Sequence, residues 1–316
     1  MEIKYKLWLE KDGEVFVPEA ENLVHRYEAF YNECENLIRD CYLKHFDAND
    51  KEEEKHEHVL PVNLKPLELG EKEIIALVGG GGKSSLMYAL AEDLASAGAR
   101  VVILTTTKVY LPPHGLVDRL IISHEEGILD QLEAGLGEGD IVAVCSGVKD
   151  GKLRAVSEEL IEEISRRNIA DYIFVEADGA AGRPFKAPAP HEPPIPACAT
   201  LVMCVVGIDV LGKALSSNHC YRPEFITKNF GLEAGEIIDE HLVAQVITSP
   251  QGGKKNLPGD ARWLPVINKI DAKEDIAAAK RMARALAQEQ GVEEIVFASA
   301  LDLKLRVRVW HKRQRE

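Results

Sequence analysis

The run Gly79-Gly80-Gly81-Gly82-Lys83-Ser84-Ser85 holds the residue types that bind a phosphate. Consecutive glycines let a backbone curl until its N–H groups converge on an anion. A lysine directly after the last glycine can reach the outer phosphates of a nucleotide, and a hydroxyl one residue further on can ligate Mg²⁺. Lys83 and Ser84 stand at those positions. Such a metal also takes an acid from the end of a neighbouring strand. The segment Tyr172-Ile173-Phe174-Val175-Glu176-Ala177-Asp178-Gly179 offers two acids after an apolar run. One would hold Mg²⁺ through water and the other would position a nucleophile. The expected catalytic set is Lys83, Glu176 and Asp178, with Ser84 and Asp178 on the metal side; which acid faces the metal stays open.

Further candidates follow in chain order. Thr105-Thr106-Thr107-Lys108 closes an apolar run. The Thr107 hydroxyl could approach the metal or γ-phosphate and Lys108 an anion, or the threonines simply finish a strand well. Six prolines from Pro184 to Pro196 make an extended, stiff segment that cannot be helical. It follows the two acids directly, so it should pass over the nucleotide crevice and present Arg183, Lys186, His191 and Glu192. The sharp reading is a basic pair facing the γ-phosphate or an anionic substrate; the plain one is a proline-rich surface loop. Asp209 is a further pocket acid. Asn268-Lys269-Ile270-Asp271 resembles the base-recognition motif of GTPases, whose aspartate accepts hydrogen bonds from guanine while the lysine stem packs along the base. Ala298-Ser299-Ala300 resembles the companion loop, with Ser299 near the base. ATP and GTP both stay open.

These residues need elements that bring them to one place. Residues 74–78 read as a strand and 83–97 as a helix, which makes the glycine run a strand-to-helix turn backed by a helix N-terminus. Residues 101–104, 141–145, 172–175, 201–206, 264–267 and 294–298 read as further strands. Residues 126–134, 157–167 (Ser157 as N-cap), 223–246 and 273–289 read as helices, with a polar loop over 249–260. Continuous apolar strands alternating with amphipathic helices predict a mostly parallel α/β sheet covered on both faces. The spacing departs from GxxxxGK[ST], which would need glycine where Leu77 stands. The shorter GxxGKS resembles the phosphate loops of the amide-forming ligases of cell-wall synthesis. The expected fold is P-loop NTPase-like.

The N-terminal 63 residues form a separate appendage in this reading: a strand-turn-strand over 3–17, a helix over 19–46 and an acidic spacer over 47–58 that carries His56 and His58. Its opening resembles the molybdate-responsive winged-helix regulators over about 16 residues. No helix-turn-helix follows, so no DNA binding is expected. The expected domains are 1–63 (appendage and acidic linker), 64–302 (NTPase-like) and 303–316 (a basic, solvated tail).

The chain of 316 residues is 46% hydrophobic and 28% charged, in the range of globular proteins, and its net charge of −14 argues against a nucleic-acid surface. No apolar run reaches the ~20 residues of a membrane span, and the start lacks a secretory pattern, so a cytoplasmic protein without a membrane partner is expected. Its six cysteines are scattered with no CxxC pair, which suggests buried thiols.

Together, LVGGGGKSS, TTTK, EADGAAGRPFKAPAPHEPPIP and VINKID resemble the YqeC family over about residues 64–300. That resemblance implies a Mg²⁺- and ATP- or GTP-dependent accessory protein in the maturation of selenium-dependent molybdenum hydroxylases. A molybdenum hydroxylase or another maturation factor would be its partner, beside the nucleoside triphosphate. A small-molecule kinase or ATP-dependent ligase, and a non-enzymatic nucleotide-controlled chaperone, are the alternatives.

Overall fold

The computed structural model describes residues 8–11, 14–16, 64, 67–122, 124–301 and 305–312. The chain divides into two units, Lys6–His58 and the remainder. Within the first unit, β1 (Trp8–Lys11) and β2 (Glu14–Phe16) pair as an antiparallel hairpin, with Leu9 opposite Phe16 and Lys11 opposite Glu14. The helix expected over 19–46 and the acidic spacer lie outside the described residues.

The second unit runs through β3 (Glu73–Gly79), α1 (Lys83–Ser96), β4 (Val101–Thr105), β5 (Val109–Tyr110), β6 (Arg119–Ile122), α2 (Glu125–Gly135), β7 (Ile141–Cys145), β8 (Val148–Lys149), β9 (Lys152–Leu153), α3 (Glu158–Arg166), β10 (Tyr172–Glu176), β11 (Phe185–Lys186) and β12 (Leu201–Gly207). A 3₁₀ turn (Ile208–Val210) leads to β13 (Cys220–Tyr221), α4 (Pro223–Phe230), α5 (Glu240–Thr248), β14 (Arg262–Asn268), α6 (Lys273–Leu286), β15 (Glu294–Ser299) and β16 (Arg306–His311).

The main sheet has the order β16-β15-β14-β12-β3-β10-β4-β7-β6. Every pairing in it is parallel except that of β16 on β15. Adjacent residues of a strand point to opposite faces, yet Ile75 and Ala76 of β3 are both fully buried, as is all of β7. Both faces of the central sheet are therefore covered, the burial that continuous apolar runs predict. The cover includes Leu86, Leu90 and Leu94 of α1, Leu160, Ile161 and Ile164 of α3, and Met282 and Leu286 of α6. Each such leucine contributes about 1.5–3 kcal/mol by leaving water. Ser157 caps α3 by accepting from the Leu160 N–H at 3.2 Å.

Register sets the site. Glu176 lies beside Leu77 on one side and Thr105 on the other, Val205 beside Gly79, and Gly207 beside Asn268. The carboxyl ends of β4, β10, β3, β12 and β14 thus form one edge, where open α/β sheets bind ligands.

Two expectations are corrected. The stretch 223–246 is two helices: α4 ends at left-handed Gly231 (φ +68°), and Asp239 starts α5 by accepting from the Leu242 N–H at 2.8 Å. The basic end is not wholly a solvated tail, because β16 pairs with β15 from Glu294↔His311 to Ser299↔Arg306. Its alternation of arginine with Val307 and Val309 suits an edge strand half in contact with the protein.

Candidate phosphate and metal site

The glycine turn joins β3 to α1. Gly79, Gly81 and Gly82 adopt φ of +92°, +77° and +93°, conformations that disfavour any side chain. Space is equally restrictive. A Cβ on Gly81 would sit 2.0 Å from the Gly207 nitrogen, and one on Gly80 would sit 2.7 Å from the Arg183 carbonyl. The N–H groups of Gly79, Gly80 and Gly81 donate to Asp178 Oδ2 (3.1 Å), the Val205 carbonyl (2.9 Å) and the Arg183 carbonyl (2.9 Å). These three N–H groups are engaged within the protein, unlike the inward-pointing set read from the sequence. What the turn offers outward is the start of α1, which no side chain caps. Its first internal bond runs from the Leu86 N–H to Gly82, leaving the first-turn N–H groups and the helix dipole for an anion. Ser84 and Ser85 are exposed there.

Lys83 is 4% exposed and folds back under the turn. Its ammonium donates to the Gly79 carbonyl at 2.8 Å and lies 3.1 Å from Asp178 Oδ1 and 3.9 Å from Glu176 Oε1. Burial opposes its charge, but Asp178 and Glu176 outweigh that and lift its pKa above the ordinary lysine value. The Ser84 hydroxyl donates to Glu176 Oε2 at 2.8 Å. Burial lifts the Glu176 pKa above its ordinary range, aided by Asp178 and opposed by Lys83 and Ser84. Asp178 Oδ1 is buried and, apart from its ion pair with Lys83, has no hydrogen-bond partner. A hydroxyl beside two carboxylates, one with an oxygen met only by a lysine, is a hard oxygen set that fits Mg²⁺, which binds through one or two carboxylates plus substrate phosphates. Among the described residues no cluster of three or more His, Cys, Asp or Glu side chains could hold a metal on its own.

The proline-rich strap over residues 180–196 packs on the turn, and its β11 pairs parallel with β13. Two of its expected polar contributors point elsewhere. Arg183 donates through Nε to the Ser217 carbonyl at 2.7 Å, and His191 is exposed. The other two are buried: Lys186 donates to the Gly179 carbonyl at 2.9 Å and pairs with Glu192 (3.1 Å) and Asp178 Oδ2 (3.2 Å). Lys186 therefore faces Asp178, so the strap does not present a basic pair to an open phosphate position. Burial works against the Glu192 charge, but Lys186, the Ala189 N–H and Arg222 hold its pKa below the ordinary value. Thr107 is tied to Thr105 through its backbone, with its N–H donating to the Thr105 hydroxyl at 3.0 Å, while Lys108 is exposed.

On the other flank, Asn268 is buried and donates to the Gly81 carbonyl at 2.8 Å, joining the β14 end to the turn. Lys269 pairs with Asp209 at 2.8 Å, and a Cβ on Gly82 would lie 4.0 Å from the Lys269 stem. Asp271 accepts from the Ser299 hydroxyl at 2.5 Å. Lys269, Asp271 and Asp209 line an open cavity of about 750 Å³, together with Asp239, Glu240 and Arg281. The sequence motifs on β3, β10 and β14 are thus brought together, with Ser299 beside Asp271.

Sequence reasoning missed three contributors. Arg222, left-handed at φ +59° before α4, pairs with Glu192 at 2.9 Å. Lys255 and Asn256 hold the strap by donating to the carbonyls of Pro190 (2.8 Å) and Pro193 (2.9 Å). Their partners lie 30 to 65 residues away in sequence, so no local pattern marks them.

Residues 75–224, which contain the turn, both acids and the strap, match the family model described as YqeC protein. The chain is 31% identical over 228 residues to "Uncharacterized protein YqeC" of Escherichia coli (strain K12), covering 70% of this chain and 85% of that relative.

Proposed function

We propose that this chain, which belongs to the YqeC family, binds and hydrolyses a nucleoside triphosphate with Mg²⁺ at the glycine turn. The observation that carries the reading is the group of Lys83, Ser84, Glu176 and Asp178 at an uncapped helix start, with Asp178 Oδ1 engaged only by the Lys83 ammonium. The architecture is then that of a P-loop NTPase with a shortened loop. The first-turn N–H groups of α1 take the phosphates. Lys83 leaves the carboxylates for the outer phosphates, and Ser84 and Asp178 hold the metal. When bound, Mg²⁺ supplies neutralisation of charge on the transferring group. Glu176, with its lifted pKa, is suited to take a proton from an attacking water.

The 750 Å³ cavity receives the base. A carboxylate acceptor suits guanine, which offers two donors on one edge, so GTP is the preferred nucleotide and ATP the weaker ligand. The Lys269 stem lines the face of the base, and Ser299 orients Asp271. Competition binding tests this: Asp271→Ala should weaken GTP by about 1–3 kcal/mol, the cost of leaving polar groups unpaired, with little change for ATP. Tighter ATP than GTP in the wild type would sink the base assignment. The family resemblance supplies the setting: an accessory step in the maturation of selenium-dependent molybdenum hydroxylases, with the hydroxylase or another maturation factor as partner.

A further inference from the structure

The charges around the strap are unevenly shared. Glu192 Oε2 receives Arg222 at 2.9 Å and Lys186 at 3.1 Å, so it keeps a cation even without Lys186. Glu176 has Lys83 at 3.9 Å and the Ser84 hydroxyl at 2.8 Å. Asp178, 2% exposed, holds Lys83 on Oδ1 at 3.1 Å and Lys186 on Oδ2 at 3.2 Å. The two lysines differ in freedom. Lys83 stands at the start of α1 next to the exposed Ser84. Lys186 has a 1% exposed side chain, and its three ammonium protons are matched by Gly179, Glu192 and Asp178. The Tyr221 ring, 5.4 Å away, adds to its enclosure. A phosphate can draw off Lys83 but not Lys186. Stripping a buried carboxylate of every cation is strongly unfavourable.

We propose that Lys186 is a positioning residue, the reserve counter-ion that balances Asp178 and holds it in place when Lys83 transfers to a triphosphate. The inference rests on the nucleotide reading above and deepens it. The strap is then part of the nucleotide site through its charge on Asp178, although it contacts no phosphate. Metal and Lys186 act on the same carboxylate, so the need for Lys186 is greatest when no metal is present.

The experiment measures binding of fluorescent GTP and ATP, with Mg²⁺ and with EDTA, to wild type, Lys186→Met and Lys186→Arg. Lys186→Met should lose metal-free affinity by about tenfold or more beyond any loss seen with Mg²⁺. Lys186→Arg, which keeps the charge, should stay within about threefold of wild type in both conditions. Should Lys186→Met fail to fold, Lys186→Gln carries the same split. Equal loss in both conditions, no loss, or an arginine variant as poor as methionine overturns the inference while leaving nucleotide binding intact. Wild-type binding with Mg²⁺ but not with EDTA overturns this inference alone, and absence of wild-type binding in both conditions overturns the nucleotide reading and this inference with it.

Discussion

Replacing Lys83 with methionine removes an ammonium and keeps most of the stem, so its effect reads the charge. Lys83, Asp178 and Glu176 are 4%, 2% and 6% exposed, and the variant leaves the two carboxylates together with one cation fewer. Deleting one partner of a buried ion pair costs about 3–5 kcal/mol. Two features favour the low end. Asp178 keeps Lys186 at 3.2 Å and the Gly79 N–H at 3.1 Å, and Glu176 can take a proton because burial has lifted its pKa. The expected loss is about 3 kcal/mol, a fall of roughly 5 °C in Tm for a chain of this size. The sign in pH is fixed: the folded pKa of Lys83 lies above 10.5, so its stabilisation is complete below 10.5 and fades as pH rises through the folded value. Urea and thermal unfolding at neutral pH therefore see all of it. With Asp178→Asn, a double-mutant cycle should return a coupling of about 1–3 kcal/mol. A Lys83→Met loss under about 0.5 kcal/mol, or strict additivity, would refute the role of Lys83 as counter-ion.

Gly81→Ala places a Cβ 2.0 Å from the Gly207 nitrogen at φ +77°, and should cost more than the ~1–2 kcal/mol of left-handed strain alone. Gly212→Ala, with φ +72° and open space around it, should show that strain only; equal unfolding free energies for the two would remove the packing explanation. Glu192 contributes stability that is present above pH 4.5 and lost as pH falls through its lowered folded value. Glu192→Gln should flatten that acid limb in a pH series of denaturant midpoints, and an unchanged limb would show that the pairing with Lys186 and Arg222 is energetically idle.

The central sheet was legible because its strands are unbroken apolar runs and its helices carry clear stops. Gly98, left-handed at φ +91° just after α1, and the Ser157 cap of α3 fall where local chemistry requires them. The split between α4 and α5 was hidden by apolar residues continuing through 223–246, although Gly231 and Asp239 are the usual end and start signals. Net charge masked β16, whose Arg-Val alternation is an edge-strand pattern. At the site, the glycine turn, both acids and the β14 end could be read because each follows a strand directly. The buried fate of Lys186 could not, because lysine is normally exposed and only the fold supplies Asp178 and Glu192 as partners. Arg222 was invisible for a similar reason, its contact depending on the pairing of β11 with β13.

Calorimetric titration of the wild type with Mg²⁺–GTP and Mg²⁺–ATP, beside Ser84→Ala, tests the phosphate site most directly. Ser84→Ala removes the hydroxyl that meets Glu176 at 2.8 Å and leaves Lys83, Asp178 and Lys186 in place. A nucleotide site at the glycine turn predicts saturable binding of one triphosphate per chain by the wild type, and loss of the Mg²⁺-dependent gain in the variant. Failure of the wild type to bind either nucleotide, or an undiminished Mg²⁺-dependent gain in Ser84→Ala, would contradict it.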